Sequence, residues 1–307
     1  MRRPAIRSLV TALAAVGLLA IPLLGAPGSA APATGGAAVA APDAVARLDA
    51  LAAGPSAVPP SVAGWYPRAG GLVVTVVGQG DAASARFVAA ARSTTGVPVR
   101  VERVAARPTT LWALNPGMIL TSGPARCTMA AAFRDALWAR LVLTAGHCTE
   151  FYPATWYGPG GVIGPVQASE FPGDDFGLIR VASTSSAVPS NVISGPGITP
   201  TRIIGVRMPA VGERACRVGA TTGLRCGSVQ ALNQTVNYAQ GVVYGLIRTN
   251  ICSEPGDSGG PLISPPAAGG VYLFGVVSGG SGNCTVGGTT FAQPATEVMA
   301  RYGLTLL

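Results

Sequence analysis

The sequence contains almost no histidine and no lysine. His147 is the single histidine among 307 residues, and all 21 basic residues are arginine. Six cysteines are present, but no two of them are spaced as a Cys-x-x-Cys pair. Zinc sites usually combine such pairs with further cysteines or histidines. The sequence therefore predicts no metal site and no cofactor, and it offers one residue that can act as an imidazole base.

The net charge of +8 does not mark a nucleic-acid-binding surface. Residues 1–113 carry 10 arginines and 4 acidic residues, whereas residues 114–307 carry 11 arginines and 9 acidic residues. Most of the excess positive charge thus precedes residue 114, and the later arginines are scattered. Nucleic-acid-binding domains concentrate basic residues on one face, so we expect no nucleic-acid partner.

Residues 1–33 are typical of a secretory signal peptide. Three arginines in the first seven residues precede an almost uncharged apolar stretch at 9–24, and small residues follow it. The alternative is an uncleaved membrane anchor at 8–26, which is just long enough to cross a bilayer. Pro22 and the small residues after it favour cleavage. We expect a secreted, extracellular protein without membrane association after signal removal.

Residues 34–113 predict a small α/β region. Its first part is rich in Ala, Gly and Pro. The apolar pattern predicts, in order, a helix, a strand, a helix and a strand at 42–53, 72–77, 81–93 and 97–101. This region contains no cysteine and can bury only a modest core.

Residues 114–307 predict an all-β domain, because short apolar segments alternate with Gly- and Pro-rich turns. The clearest strands are expected at 141–145, 176–181, 228–236, 242–247, 271–278 and 289–291. A helix is expected at 295–302. This spacing indicates a β-sandwich or a pair of barrels.

Two motifs indicate nucleophilic catalysis. His147 lies in Leu-Thr-Ala-Gly-His-Cys at 143–148, and Ser258 lies in Gly-Asp-Ser-Gly-Gly-Pro at 256–261. A serine hydroxyl is a weak nucleophile and needs an adjacent base to take its proton. The alternatives are a structural histidine beside a disulfide and a glycine-rich turn with an incidental serine. Their joint presence favours a serine hydrolase.

The glycines around Ser258 also suit this chemistry. Gly256 allows the backbone to turn so that the amides of Gly256 and Ser258 point at one spot. Two such N–H groups can hold the oxyanion of a tetrahedral intermediate, a contribution of about 3 kcal/mol per donor. We therefore expect these two amides to form an oxyanion hole.

A third residue must orient the imidazole and stabilise its protonated form. Asp174 and Asp175 are adjacent candidates in Phe-Pro-Gly-Asp-Asp-Phe-Gly-Leu-Ile-Arg at 171–180. Asp175 immediately precedes a hydrophobic strand, where its side chain can be buried beneath the histidine. The spacing favours Asp175, with Asp174 as a solvated turn residue.

The segment 114–307 resembles the chymotrypsin-like serine proteases of actinobacteria, namely the streptogrisins and α-lytic protease. The similarity lies in stretches that follow in order through nearly the whole segment, at 143–148, 175–180, 219–229, 237–250, 252–262 and 278–285. It implies two antiparallel six-stranded β-barrels, divided near 182–197, with a C-terminal helix. The catalytic residues in the cleft between the barrels would be His147, Asp175 and Ser258.

The resemblance also implies structural pairs. Of the fifteen possible cysteine pairings, it supports pairing of neighbours in sequence: Cys127 with Cys148, Cys216 with Cys226, and Cys252 with Cys284. It further implies that Asp257 is buried beside an arginine, and the matching residue is Arg217. The alternative is that Asp257 merely caps its own turn.

A weaker resemblance makes 34–113 a pro-region, which would act as an intramolecular folding aid and inhibitor. The alternative is a linker or an unrelated accessory domain. Alignment backward from Cys127 places the start of the mature protease near Leu114. The scissile bond is then Ala113–Leu114, within three residues, and cleavage by the protein itself is expected.

Polypeptides are the expected substrates, and a monomer is the expected state. The substrate pocket is expected to be formed by Ser253, Pro255, Ser278, Gly279, Gly280 and Thr290. Val277 lies where a glutamate-preferring relative would need a histidine, and Glu254, the one nearby acid, is expected at the rim. These residues predict cleavage after medium to large apolar residues. The competing hypothesis is a catalytically idle secreted homologue that serves as a binding protein.

Overall fold

The computed structural model describes residues 40–54, 58–152 and 154–307, and side chains from residue 43 onward. The predicted signal peptide at 1–33 lies outside these residues. The chain divides into two compact units, Met1–Pro108 and Thr109–Leu307. None of the helices in the described ranges is long and apolar enough to span a membrane.

The described part of the first unit is a three-stranded sheet with two helices. Its elements are α1 (Ala40–Ala53), β1 (Val62–Arg68), β2 (Gly71–Val77), α2 (Ala82–Thr95) and β3 (Val99–Val104). β2 lies in the middle, antiparallel to β1 and parallel to β3. The predicted helix at 81–93 is confirmed as α2, which begins after Asp81 because the Asp81 carboxylate accepts a hydrogen bond from the Ser84 amide. Helices and sheet enclose a separate core that includes Leu48, Val74 and Phe87.

The second unit is almost entirely β-structure. Its first half contains β4 (Trp112–Leu114), β5 (Ile119–Ser122), β6 (Ala125–Thr128), β7 (Ala131–Arg134), β8 (Arg140–Thr144), α3 (Gly146–Phe151), β9 (Thr155–Gly158), β10 (Gly161–Glu170), β11 (Phe176–Arg180) and β12 (Ala187–Pro189). Its second half contains β13 (Val192–Gly195), β14 (Ile198–Val206), β15 (Arg214–Gly219), β16 (Gly223–Tyr238), β17 (Gly241–Thr249), β18 (Pro261–Ile263), β19 (Val271–Asn283), β20 (Gly287–Pro294), α4 (Ala295–Tyr302) and β21 (Thr305–Leu306).

These strands form two barrel-like sheets, as expected for a chymotrypsin-like fold. The first sheet has the order β21-β7-β8-β11-β10-β9-β5-β6. The second has the order β13-β14-β19-β18-β15-β16-β17-β20, and an additional β19–β20 pairing closes a ring of six strands. The predicted C-terminal helix at 295–302 is confirmed as α4.

The cores explain how the two sheets hold the site. One apolar cluster lies inside the first sheet and contains Leu120, Trp156 and Ile163. A second cluster joins strands of both sheets to α4, through residues such as Phe133 and Val298. Because the two sheets share this core, loops from both are held in fixed positions at one cleft.

Candidate active site

His147 lies in the first turn of α3, directly after the buried strand β8. Its backbone amide donates a hydrogen bond of 2.9 Å to Asp175 Oδ1, and its Nδ1 lies 2.9 Å from Asp175 Oδ2. A carboxylate can only accept, so Nδ1 carries the proton and Nε2 of the neutral ring is left as the basic nitrogen. Burial lowers the pKa of His147, but the charge and hydrogen bond of Asp175 outweigh it and raise that pKa above its ordinary value of 6.5.

Asp175 is fully buried just before β11. Its backbone amide donates to Gln293 Oε1 at 2.9 Å, and Gln293 in turn donates to Glu297 at 2.6 Å. The neighbouring Asp174 points elsewhere and pairs with Arg301 of α4 at 2.9 Å. The structure therefore places Asp175, and not Asp174, against His147.

A chain of hydroxyl groups completes the surroundings of Asp175. The Ser278 hydroxyl donates to Asp175 Oδ2 at 2.6 Å, and the Tyr238 hydroxyl lies 3.1 Å from Ser278 Oγ. Because the one proton of Ser278 goes to the carboxylate, the Tyr238 hydroxyl is the donor in the second bond. Burial raises the pKa of Tyr238 to about 12, so this hydroxyl stays protonated. Ser278, expected in the substrate pocket, thus also contacts the carboxylate.

Ser258 lies in the loop between β17 and β18, and it lines the same cavity as His147 and Asp175. This cavity of about 380 Å³ is walled by aromatic side chains that include Phe151, Phe171 and Tyr238. Among the hydrogen bonds of the described residues, none joins the His147 ring to Ser258. Such bonds are often long before substrate is bound.

Two backbone amides of the loop that carries Ser258 donate no hydrogen bond to any acceptor in the described part of the chain. The amides of Asp257, Gly259 and Gly260 donate to backbone carbonyls, whereas those of Gly256 and Ser258 donate to no protein acceptor. The carbonyl groups of the same two peptide units are held from the other side. Thr221 Oγ1 donates to the Pro255 carbonyl at 2.8 Å, and the Gly260 amide donates to the Asp257 carbonyl at 3.0 Å.

In a trans peptide the N–H and C=O groups point in opposite directions. The amides of Gly256 and Ser258 are therefore turned away from these carbonyl partners. Gly256 has a φ of +95°, and a Cβ atom there would lie 2.4 Å from Thr221 Oγ1. Glycine is required at this position by both the backbone angle and the close hydroxyl.

Asp257 is buried beneath this loop and paired with Arg217. Arg217 Nη2 lies 3.1 Å from Asp257 Oδ2, and both side chains are completely inaccessible. Asp257 also accepts from the amides of Thr221, Thr222 and Glu254 and from the Thr222 hydroxyl. The structure therefore brings together the expected Arg217–Asp257 pair beneath the loop.

Four of the six residues expected to form the substrate pocket line one cavity beside Ser258. A cavity of about 220 Å³ is lined by Ser253, Glu254, Pro255, Ser258, Val277, Gly279, Gly280 and Gly282. Ser278 and Thr290, which were also expected there, are not part of this lining. Ser278 lines the cavity that holds His147, and Thr290 is fully buried with its hydroxyl donating to the Ile251 carbonyl. Glu254 is among the lining residues, and its Oε1 accepts from the Cys284 amide at 2.9 Å.

The cysteines form the three disulfides of neighbours in sequence: Cys127–Cys148, Cys216–Cys226 and Cys252–Cys284. Cys127, Cys148 and His147 also form a group with the spacing of a metal site. Metal binding requires thiolates, but both sulfur atoms of this group are joined in a disulfide. This group is therefore not a candidate metal site.

Several contributors to the site were missed by sequence reasoning. Thr128 donates to the Gly256 carbonyl at 2.7 Å, and Thr221 holds the preceding peptide. Gln293 fixes the backbone of Asp175, and Tyr238 extends the chain of hydroxyls. Nothing in their local sequence separates these residues from ordinary strand and turn residues, since each acts on a segment distant in sequence.

Two barrel-like sheets, an Asp-His pair and a serine in one cleft define the class of chymotrypsin-like serine proteases. The sequence matches the family described as Trypsin over residues 136–301. That range exceeds half of the chain, and the chain belongs to this family. It is a serine endopeptidase, a hydrolase of the streptogrisin-like group.

Individual relatives agree with this assignment. The chain is 38% identical over 247 residues to streptogrisin-A of Streptomyces griseus, with 79% of this chain and 77% of the relative covered. The crystal structure of Nocardiopsis protease matches with 38% identity and a TM-score of 0.58, over 64% of this chain and 99% of that chain. A serine protease described as specific for glutamic acid, with a histidine triad in substrate binding, matches with 33% identity and a TM-score of 0.57, over 63% and 100% of the two chains.

Proposed function

We propose that this serine endopeptidase is secreted as a precursor, cleaves itself from its pro-region, and hydrolyses peptide bonds after medium to large apolar residues. One observation carries the catalytic part of the proposal. Ser258 shares a cavity with the Asp175–His147 pair, while the amides of Gly256 and Ser258 have no protein acceptor within the described residues. That arrangement has a nucleophile, a base and an anion site, and needs no cofactor.

In the proposed mechanism, His147 Nε2 takes the proton of Ser258 as Oγ attacks the carbonyl carbon of the substrate. The amides of Gly256 and Ser258 stabilise the resulting oxyanion. His147 then gives its proton to the leaving amine, and the acyl-enzyme forms. Water repeats these steps and releases the acid. Asp175 holds the Nδ1–H tautomer and stabilises the charged imidazole without taking its proton.

The pocket supports the proposed apolar specificity. Val277 and the backbone of Gly279, Gly280 and Gly282 leave space without a fixed charge. The glutamate-specific relative is described with a histidine triad, whereas the only histidine of this chain is engaged with Asp175. Glu254 is the one acidic group in the lining, and it already accepts a hydrogen bond from Cys284.

The strand β19 has an edge to which the main chain of a peptide substrate can bind. From Ser278 onward, β19 pairs with β20 on one side, and its other edge lacks a paired strand among the described residues. An extended peptide can add there as a strand, which brings its carbonyl to Ser258 beside the pocket. The segment 278–280 is therefore proposed to bind the peptide main chain.

The precursor part of the proposal rests on the first unit. Its described residues form their own sheet and core, which supports a folded pro-region over a mere linker. Secretion is proposed from the signal-like pattern at 1–33.

A panel of peptide anilides that differ only at the residue before the scissile bond tests the specificity. We expect kcat/KM for Leu and Phe to exceed the values for Arg and Glu by at least about tenfold, since apolar contacts in such a pocket contribute roughly 1–3 kcal/mol. A preference for Arg would assign Glu254 as a pocket charge and overturn the apolar specificity. No hydrolysis by the wild type, with Ser258→Ala as the blank, would favour the idle homologue.

A further inference from the structure

A seven-residue stretch before the protease fold has the features of a protease substrate. Residues 105–111 contain no helix or strand, and every one of them is exposed. None of the backbone hydrogen bonds among the described residues involves this stretch. Proteases bind their substrates as extended chains with free backbone groups. The stretch is therefore available for binding, unlike the strands on either side of it.

The residue that follows belongs firmly to the protease fold. β4 pairs in parallel with β12, and the Trp112 amide donates to the Ser186 carbonyl at 3.1 Å. Leu114 is fully buried within the core of the first sheet. The ring of Trp112 covers a glycine turn, because a Cβ atom at Gly160 would lie 2.3 Å from it.

Cleavage at Ala113–Leu114 would remove Trp112 from this fold. The strand β4 would be cut in its middle, and the space beside Gly158 and Gly160 would lose the side chain that fills it. Cleavage before Trp112 keeps the whole strand and its bond to Ser186. The structure thus favours a bond two residues upstream of the alignment-based position, and still within its range of three residues.

The composition of the stretch identifies one bond. Leu111 is its only large apolar residue, and this residue is 74% exposed. The other residues are Ala105, Ala106, Arg107, Pro108, Thr109 and Thr110. The pocket beside Ser258, lined by Val277 and glycines, suits leucine better than any of these.

We propose that the bond between Leu111 and Trp112 is the processing site of this chain, and that the mature protease begins at Trp112. The inference rests on the self-processing proposed above. Ser258 Oγ forms an ester with the Leu111 carbonyl carbon, and the bond to the Trp112 nitrogen breaks as that nitrogen takes the proton from His147. Water then hydrolyses the ester, which leaves a Leu111 carboxylate and a Trp112 amine.

The first test is to determine both new chain ends after expression of the full precursor in a host that lacks other secreted proteases. The mature protein should begin at Trp112, and the released fragment should end at Leu111. The fragment distinguishes the primary cut from later trimming of the amino terminus. A mature start at Leu114 with a fragment ending at Ala113, or a cut after Arg107, would overturn the inference.

Two matched substitutions provide the second test. Leu111→Asp should slow processing at least tenfold, and Leu111→Phe should restore it. Ala113→Asp, at an exposed position of β4 two residues beyond the proposed bond, should be processed at the wild-type rate and at the same bond. The proposal would be contradicted if Ala113→Asp blocked processing of the precursor and Leu111→Asp did not.

Ser258→Ala separates failure of this inference from failure of the proposed function. An uncut Ser258→Ala precursor beside a wild type cut elsewhere refutes the Leu111–Trp112 site and leaves self-processing intact. A wild type that stays uncut refutes self-processing, and the processing site with it. A Ser258→Ala precursor that is cut like the wild type shows that another protease is responsible, which also refutes both.

Discussion

At the scale of single residues, the pKa of His147 links the geometry to the activity. Burial lowers this pKa, but Asp175 raises it above 6.5 in total. The imidazole must be neutral to accept the proton of Ser258. The structure therefore gives a definite direction for the pH dependence of hydrolysis.

We predict that kcat/KM rises with pH through an apparent pKa above 6.5. In Asp175→Asn this rise should occur at lower pH. The asparagine should also reduce kcat by about 10⁴-fold, because it favours the wrong tautomer of the imidazole. Initial rates across pH 5–10 measure both effects, with the uncleaved substrate alone as the control. If the rise of kcat/KM occurs at the same pH in Asp175→Asn as in the wild type, another group controls the pH dependence.

The same shift has a consequence for folding. A histidine whose pKa is raised in the folded state stabilises that state below the pKa of the unfolded chain. This contribution is lost as the pH rises through the higher pKa of the folded protein. Increasing pH therefore activates the base while it removes the stabilisation that comes from the protonated His147–Asp175 pair.

We propose that Thr221 is a positioning residue for the expected oxyanion hole. Its hydroxyl holds the Pro255 carbonyl at 2.8 Å and so orients the Gly256 amide. We predict that Thr221→Val lowers kcat by roughly 10- to 100-fold with little change in KM, since loss of one full oxyanion donor costs about 10²–10³. Thr221→Ser keeps the hydroxyl and should restore most of kcat. An equal loss in both variants, measured on one anilide substrate, would argue against this role.

At the scale of elements, the loop between β17 and β18 is held by a buried ion pair. Arg217 projects from β15, while Asp257 belongs to the loop itself. Such a pair can cost as much desolvation as it gains in attraction. Its clear effect is that neither charge can be removed alone without leaving the other buried.

We predict that Arg217→Ala destabilises the mature protein by about 3–5 kcal/mol, because it leaves the Asp257 carboxylate without its counter-charge. The matched control is Glu213→Gln at the Arg207–Glu213 pair, whose side chains are 41% and 26% exposed. Exposed pairs contribute about 1 kcal/mol or less. Urea unfolding of both variants measures the difference, and equal losses would refute the special role of the buried pair.

The helices show which elements can be predicted from the local sequence pattern and which cannot. The helix α4 is found from its amphipathic pattern before any contact is known, and α2 is marked by Asp81 at its start. The helix α3, only Gly146–Phe151, was not predicted, because six residues carry too little periodicity. That short helix nevertheless carries His147, so an element that holds the proposed base was not visible in the sequence.

At the scale of the whole molecule, the catalytic motifs could be found because they are contiguous and contain rare residue types. The single histidine and the glycine-flanked serine needed no distant partner to be recognised. Thr221 and Gln293 could not be found in this way, because they act across the fold on Pro255 and Asp175. The residues proposed to react were visible in the sequence, and the residues that contact and hold them in the structure were not.

The start of the mature protease shows the same difference. Alignment gives a window around Ala113, since the sequence there has no distinctive motif. The single large apolar residue of the stretch, Leu111, is visible in the sequence. The packing of Trp112 against the glycine turn and the pairing of β4 with β12, which favour cleavage before Trp112, depend on tertiary structure and could not be found from local sequence.

The most direct test of the account is covalent labelling of the mature protein with a fluorophosphonate, followed by intact mass and peptide mapping. We predict one adduct per molecule, on Ser258, and at least about 10³-fold slower labelling of His147→Ala, since the hydroxyl then lacks its base. Labelling of Ser258 at the wild-type rate without His147, labelling of another residue, or no labelling would contradict the proposed mechanism.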